Sequence, residues 1–446
     1  MKTKILVLII SMVYGCSYLS SAQTNDVSPF KAGAARVNIT PAPDALPSGY
    51  NMILDSIYTK AVVIENGSTI AALISVDIVA LDKSIWGNVT DRISKEIGIP
   101  TENIFLSPSH SHSATILAPP PQPSGQNTPV DPKIAENITK VENAIVEVAR
   151  KAKANLQPAR IGFGTGTSYL NVNRDVIDPE TRLWRQGPNY DGPSDKTVSV
   201  IKFESTSGDL IAVYVNYAMH ANWMYLSGAI SAGLPGGITK YIEEYYKNFY
   251  DDNVVALWSM GAAGDQNPVH FMSFIGRDAD GEKADEAFEL RARMINSIGQ
   301  VIGEEVIRVL QLTKRMHDGI SIYGSQKIVS CPGRIRTDTN NREGKPGTYI
   351  DGDPVKIRLS LLKLGDIVLT ATDGDCYNAI FQRLKKESPY SEILMASHTN
   401  GSGTGYIPSD DAFVRYTFQV LSSALKPGCA ENSIVNGLLD MMDQAK

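Results

Sequence analysis

Two histidines at the end of an apolar run constrain this chain more than any other feature. Residues 103–106 are predicted to form a buried strand, and His110 and His112 follow it one residue apart. Side chains two residues apart in extended backbone point to the same side, so both imidazoles are expected to face one site. Imidazole is the commonest protein ligand for a metal ion. The alternative interpretation is a pair of loop histidines that hydrogen-bond to the serines around them.

The elements before this pair favour a sheet that contains parallel strands. A predicted amphipathic helix over residues 84–97 separates the β-rich run at residues 69–76 from the strand that leads to His110. Strand, helix and strand in succession imply a right-handed crossover between parallel neighbours. The histidines then lie at the carboxyl end of a strand, which is where open α/β sheets bind their ligands.

The whole pattern predicts an α+β fold: a single large domain over residues 23–446, with mixed β-sheets flanked by helices and a metal site at strand carboxyl ends. The chain has 446 residues, with 43% hydrophobic and 20% charged residues, as is typical of a soluble globular protein. Two of the predicted helices cover residues 283–312 and 411–425. The net charge of -6 gives no reason to expect nucleic acid or an anionic membrane as a partner.

The first residues are predicted to be a signal peptide, residues 1–22. Two lysines precede an apolar run at residues 5–13 that is too short to span a bilayer, and Ala22 ends a small-x-small cleavage site. The mature protein is therefore expected to be periplasmic or secreted, without a transmembrane segment. The alternative is a lipoprotein that is lipidated at Cys16.

The mature chain contains three cysteines, which are Cys331, Cys376 and Cys429. In an oxidising compartment they permit one disulfide and leave one thiol over, and the spacing does not decide the pairing.

Several predicted strands end in a loop that starts with glycine, histidine, aspartate or asparagine. Besides the loop at His110, these loops contain His220, Gly264, Asp375 and Gly405. Five loops from separate strands are expected to converge on one cleft, where His220 would be a third imidazole. Each residue also has a structural interpretation: His220 as a core histidine, and Asp375 as a residue at a helix N-terminus that interacts with the helix dipole.

The loop around Gly264 carries two more polar candidates. Asp265 and Asn267 suit a functional site and turn chemistry equally well. Tyr406 is a candidate ligand or hydrogen-bond donor, with packing at a loop end as the alternative.

Four of these segments resemble motifs of the neutral (non-lysosomal) ceramidase family, and the resemblance extends over residues 31–442. The segments are Ser109-His110-Ser111-His112-Ser113, which is similar to the family's Thr-His-Thr-His-Ser, then Met219-His220, Ala263-Gly264-Asp265-Gln266-Asn267-Pro268 and Gly405-Tyr406-Ile407-Pro408. The resemblance implies the family's catalytic domain without its C-terminal immunoglobulin-like domain. It also implies one zinc ion, held by two His, one Glu and one Tyr, and cleavage of an amide bond.

Carried over residue by residue, the resemblance assigns a metal role and a catalytic role to separate residues. The implied zinc ligands are His110, His220, Asp375 and Tyr406. The implied substrate-polarising residues are His112 and Arg174, and Asp265 and Asn267 are further catalytic candidates from their loop. Asp375 stands where the family has Glu, so a shorter carboxylate must reach the metal. Asn267 stands where the family has Ser, and the chain stops where the immunoglobulin-like domain would begin, and these two departures weigh against ceramide itself as the substrate.

Three functions follow from these residues, each with a small-molecule or oligosaccharide ligand. The first is a secreted zinc hydrolase that cleaves an amide or related bond of a polar substrate. The second is a metal-dependent dehydratase or lyase that acts on uronic-acid-containing oligosaccharides, with Arg174 holding a carboxylate. The third is an inactive binding protein that retains zinc. The sequence favours no particular oligomeric state.

Overall fold

The computed structural model describes residues 30–117, 132–225, 227–250, 253–270, 281–338 and 343–446. The predicted signal peptide at residues 1–22, with Cys16 of the alternative lipidation site, lies outside the described residues. Within the described ranges, no helix combines the length and the apolar character needed to cross a bilayer.

Strands and helices alternate along most of the chain. The strands are β1 (Lys31–Asn38), β2 (Met52–Ile53), β3 (Tyr58–Asn66), β4 (Thr69–Val76), β5 (Ile104–Pro108), β6 (Gln157–Thr167), β7 (Asn171–Ile177), β8 (Trp184–Asn189), β9 (Thr197–Ser205), β10 (Leu210–Tyr217), β11 (Ala229–Ile230), β12 (Val255–Met260), β13 (Gln266–Pro268), β14 (Ile322–Arg336), β15 (Tyr349–Leu364), β16 (Ile367–Thr372), β17 (Asp375–Cys376), β18 (Glu392–Ala396) and β19 (Tyr406–Ile407). The α-helices are α1 (Lys83–Ile97), α2 (Pro132–Ala154), α3 (Gly233–Tyr250), α4 (Gly281–Leu312), α5 (Asn378–Glu387), α6 (Phe418–Ser422) and α7 (Ala430–Gln444).

The largest sheet has the strand order β12-β10-β9-β6-β1-β3-β4-β5. Its two outer pairs, β10 with β12 and β4 with β5, are parallel, and the inner pairs are antiparallel. The predicted strand–helix–strand unit is confirmed, because α1 connects the parallel strands β4 and β5.

This sheet bends back on itself. Among the described residues, its two halves pair as strands where β1 meets β6 over two residues, and edge strand β12 contacts β3, β4 and β5 of the other half. The Ser75 hydroxyl of β4 donates a hydrogen bond to the Trp258 carbonyl of β12 at 2.7 Å. The bend brings the carboxyl ends of β5, β10 and β12 together.

A second sheet, β14-β15-β16-β18, packs on the inner face of the first. Leu369 and Leu394 of the second sheet share one buried core with Phe105 and Leu257 of the first. Strands β16 and β18 are parallel, and the Ser397 amide donates to the Met260 carbonyl at 2.9 Å. The carboxyl ends of these strands therefore reach the same region as those of the first sheet.

Helices cover the outer faces of both sheets. Strand β3 shows why, since its side chains alternate: Ala61 and Val63 pack in the core under α1 and α2, whereas Val62 and Ile64 face the core between the sheets. Helices α3 and α4 cover the other half of the large sheet, and α5 and α7 cover the second sheet. The predicted α+β fold with mixed sheets flanked by helices is confirmed.

Cysteine pairing is resolved by the structure. A disulfide joins Cys331 of β14 to Cys429 at the start of α7, and Cys376 is a buried free thiol. One bridge with one thiol left over is the arrangement that the cysteine count permits.

The predicted helix over residues 411–425 is wrong in part. The chain forms a 3-10 turn over Asp410–Arg415 and the short helix α6, and Tyr416 between them has a φ of 51°. A residue in the left-handed conformation cannot continue a right-handed helix, so residues 411–425 do not form one continuous helix.

Candidate metal centre

The loop after β5 carries the first two predicted site residues. His110 has a φ of 62°, so the extended backbone assumed for this pair is wrong. The two rings still converge, with 3.2 Å between the Nε2 atoms of His110 and His112. His110 Nδ1 lies 2.7 Å from the carbonyl oxygen of Val79, which can only accept a hydrogen bond. The proton is therefore on Nδ1, and the Nε2 lone pair is directed at the site.

His220 follows β10 and completes a triangle of imidazole nitrogens. Its Nε2 lies 3.2 Å from that of His110 and 3.0 Å from that of His112. Its Nδ1 lies 3.5 Å from both the Ala263 carbonyl and Asp375 Oδ2, which places the proton on Nδ1 here as well. Burial lowers the pKa of His110 and His220 well below the usual range, and that of His112 to about 4, so the rings are neutral near pH 7.

This donor set fits a metal ion. The Nε2 lone pairs of His110 and His220 face each other at 3.2 Å, where neither can donate a hydrogen bond. A cation between them removes that repulsion. Nitrogens bound at 2.0–2.1 Å to a tetrahedral zinc ion are about 3.3 Å apart, which is close to the observed spacing. His110, His112 and His220 therefore form a candidate metal centre.

Asp375 brings a carboxylate to this centre. It lies in β17, whose parallel pairing with β19 places Tyr406 beside it. Its Oδ2 is 3.5 Å from His220 Nδ1 and 4.0 Å from Arg174 Nη2. Its Oδ1 is buried and has no hydrogen-bond partner within the described part of the chain. The carboxylate is thus poised beside the imidazoles with an oxygen that the protein leaves unsatisfied.

Arg174 of β7 is a buried cation on the acidic side of the site. Its Nε donates to the Gly264 carbonyl at 3.1 Å, and its Nη1 donates to Asn267 Oδ1 at 3.3 Å. The guanidinium also lies 5.3 Å from the centroid of the Tyr406 ring. The structure therefore brings Arg174 together with Asn267, Tyr406 and Asp375, and the last three come from loops that are predicted to converge.

Asp265 stands behind this group. Its Oδ1 accepts from the Asn378 amide at 2.8 Å, and its Oδ2 accepts from Asn173 Nδ2 at 3.0 Å. Burial raises the pKa of Asp265 to about 7. Through these hydrogen bonds Asp265, just before β13, connects β7 to α5. A catalytic role for Asp265 stays a prediction.

His398 is a site residue that sequence analysis did not single out. It follows β18 and stacks on His110, with ring centroids 4.4 Å apart and planes at 11°. Its Nε2 lies 3.9 Å from Asp375 Oδ2. The signal that could have found it is the one that identifies His110 and His220, namely a histidine directly after an apolar strand.

A cavity of about 120 Å³ opens beside His112 and is lined in part by Tyr50 and Tyr225. The Tyr225 ring packs edge-on to His112, with centroids 5.5 Å apart. A larger groove of about 600 Å³ lies against α4 and contains none of the site residues. The smaller cavity therefore gives access to His112.

Comparison with known proteins connects this geometry to one family. The family model for neutral/alkaline non-lysosomal ceramidase, N-terminal, matches residues 50–285. Neutral ceramidase A of Dictyostelium discoideum is 24% identical over 244 residues, which are 50% of this chain and 33% of that protein. The chain thus aligns with about a third of the length of this relative.

Solved structures give the same result for the fold. The structure of neutral ceramidase from Pseudomonas aeruginosa superposes with a TM-score of 0.70 at 14% identity, covering 93% of this chain and 75% of that one. A ceramidase complexed with C2 superposes with a TM-score of 0.69 at 14% identity, covering 93% and 74%. At this level of identity the likeness establishes the fold.

Proposed function

Because this chain belongs to the neutral/alkaline non-lysosomal ceramidase family, we propose that it is a zinc-dependent hydrolase that cleaves an amide or related bond of a small polar substrate. The observation that carries the proposal is the triangle of histidine Nε2 atoms, 3.0–3.2 Å apart, with the Asp375 carboxylate beside it. The chemistry that zinc supplies when bound is Lewis acidity toward water and a carbonyl group.

Of the three imidazoles, His110 and His220 are proposed to hold the ion together with Asp375, with Tyr406 next to Asp375, whereas the His112 nitrogen stays unbound. Neutral imidazole and carboxylate form the mixed donor set of catalytic zinc sites. Backbone carbonyls orient His110 and His220 through their Nδ1 atoms, which is the usual arrangement around a metal-binding histidine.

His112 is proposed to move protons during hydrolysis. It is half-buried and lines the cavity, whereas His110 and His220 are buried behind it. Because burial lowers its pKa to about 4, His112 is neutral near pH 7 and its Nε2 can accept a proton from the attacking water. The same nitrogen can then give that proton to the leaving amine nitrogen.

Arg174 is proposed to position the acidic side of the site. Its donors are directed at Gly264 and Asn267, and its ring contact with Tyr406 and its closeness to Asp375 keep both side chains in place. Asn267 Nδ2 is buried and has no partner among the described residues, so it remains available to donate to a polar group of the substrate.

The cavity beside His112 presents hydroxyl groups on a surface that is otherwise largely apolar. Its hydroxyl-bearing residues can bond polar groups of a substrate, and they are Ser48, Tyr50, Ser113, Thr115, Tyr225 and Ser227. The relatives named above are all ceramidases, so the oligosaccharide alternative has no support among them.

Export of the protein is part of the proposal. The predicted signal peptide at residues 1–22 and the disulfide between Cys331 and Cys429 both suit an oxidising compartment. The intact mass of the protein recovered from the exporting cell tests this, because cleavage after Ala22 and lipidation at Cys16 give different masses.

The decisive experiment combines metal analysis with a substrate panel. Purified mature protein is assayed for bound zinc, and then for amine release from short-chain ceramide, N-acyl amino acids and N-acetyl amino sugars. We expect one zinc per chain and zinc-dependent amine release from a polar amide. Protein that binds no zinc contradicts the proposal. Loss of 18 Da from a uronic-acid oligosaccharide identifies a dehydratase, and bound zinc without any turnover identifies a binding protein.

A further inference from the structure

His398 lies at the metal centre without a role in the hydrolysis proposed above. The chain contains six histidines, and four of them, His110, His112, His220 and His398, meet at this one place. His398 reaches it from β18 of the second sheet, whereas the other three follow strands of the first sheet.

His398 has a strained backbone and an unsatisfied ring nitrogen. Its φ of 54° lies in the left-handed region, and its Nδ1 is buried without a hydrogen-bond partner within the described ranges. Both features are destabilising unless something compensates for them. A residue kept in this state is a candidate for a functional role.

The Nε2 atom of His398 faces a carboxylate at a distance typical of two ligands of one ion. His398 Nε2 lies 3.9 Å from Asp375 Oδ2, which is too far for a hydrogen bond. Two atoms bound to one ion at zinc–ligand distances are separated by about 3–4 Å. The spacing therefore suits a shared cation better than a direct contact.

A second donor set supports this interpretation. His110, Asp375 and His398 each offer a ligand atom within 4.8 Å of the others. The Nδ1 of His110 is engaged by Val79, so its Nε2 serves this set and the three-imidazole set alike. One nitrogen lone pair binds one metal, and the two sets therefore describe the surroundings of a single ion.

We propose that His398 is a further ligand of the metal ion, through Nε2, on the side of His110 that faces Asp375. The inference rests on the proposed function, because it concerns the same ion. The alternative is a packing role, in which the His398 ring only stacks on the His110 ring.

Two substitutions separate these roles. His398→Ala removes both the nitrogen and the ring, whereas His398→Phe keeps a flat ring on His110 and removes the nitrogen. His270→Ala is the matched control, because His270 is exposed in a turn. Each purified variant is titrated with Zn²⁺ against a chelator, and the visible spectrum of its Co²⁺ form is recorded, since that spectrum reports coordination number independently of activity.

We expect His398→Ala and His398→Phe to weaken Zn²⁺ binding alike, by about 100-fold or more, which exceeds what loss of a residue that only orients a ligand usually costs. Their Co²⁺ spectra should change in the same way, while His270→Ala matches the wild type. A wild-type Co²⁺ spectrum in His398→Phe overturns the ligand role. Wild-type protein that binds no metal overturns the proposed function itself. Failure of the proposed function and failure of the ligand role of His398 therefore give different results.

Discussion

The imidazole side and the acidic side of the metal centre are built differently. On the imidazole side, His110 and His220 have their second ring nitrogen beside a backbone carbonyl, at 2.7 Å and 3.5 Å. On the acidic side, Asp375 Oδ1, His398 Nδ1 and Asn267 Nδ2 are buried without partners in the described part of the chain. The protein satisfies the first group by itself, whereas the second group keeps polar atoms that a bound ion or substrate could satisfy.

This difference follows from where the side chains are attached. The three histidines follow strands β5 and β10 of the bent sheet. The carbonyls beside the His110 and His220 rings belong to Val79 and Ala263, in the segments that follow β4 and β12. Asp375 and Tyr406 belong to β17 and β19, a pairing of two residues each, and are held mainly through Arg174. We therefore expect substitutions on the two sides to differ in how far they lower metal binding and how far they lower stability.

The largest effect is expected from His110→Ala. Removing this nitrogen leaves His220 and Asp375 without the donor common to both sets, so bound zinc should fall below a tenth of an equivalent per chain and amine release by at least about 10³-fold. Metal content and hydrolysis measured on the same sample check this. Full zinc occupancy in His110→Ala would mean that the imidazole side is not the primary holder of the ion.

Arg174→Lys should be next in size, and it should act on stability. Lysine keeps the charge but loses the fork that bonds Gly264 and Asn267, and it leaves Asp375 less well compensated. We expect a loss of about 2–4 kcal/mol in the free energy of unfolding, measured by denaturant titration. The surface variant Arg308→Lys is the control. Equal losses of unfolding free energy in both variants would show that Arg174 contributes no more to stability than a surface arginine.

Asp375→Asn tests the acidic side without changing its shape. The amide keeps one oxygen but cannot supply a negative ligand, so zinc affinity should fall by about 100-fold, with the fold intact. Chelator competition and thermal unfolding together separate the two effects. If affinity is unchanged while stability falls, then Asp375 is a structural partner of Arg174 and not a ligand.

The smallest effect is expected from Asn267→Ser, which restores the residue of the resembled motif. Serine removes the unpaired Nδ2 and weakens the bonds to Arg174 and Asn222, and these changes largely offset each other. We expect a change in stability of about 1 kcal/mol or less. The relative rates with polar and lipid amides should move toward the lipid amide, and unchanged selectivity would argue that Asn267 does not contact the substrate.

The sequence predicts the elements of this molecule better than its local backbone. The crossover through α1 and the meeting of the loops at His110, His220 and Asp375 follow from strand ends with polar residues, which are local features. The left-handed φ of His110 and the break at Tyr416 depend on contacts from distant segments. His398 carries the local signal of a histidine after an apolar strand, but its stacking on a residue that follows a strand of the other sheet is a distant contact that the sequence does not show.

The disulfide has a consequence for how the centre is assembled in the cell. Cys331 and Cys429 are 98 residues apart in sequence, and Asp375, His398 and Tyr406 all lie within the loop that they close. Closing a loop of this length removes roughly 4–5 kcal/mol of chain entropy from the unfolded state in the simple polymer treatment. Newly made chains in a reducing compartment would lack that restraint on the segment that delivers the carboxylate. Formation of this disulfide would therefore act as a maturation step, because the reduced chain lacks the restraint that helps to bring Asp375 to the histidines.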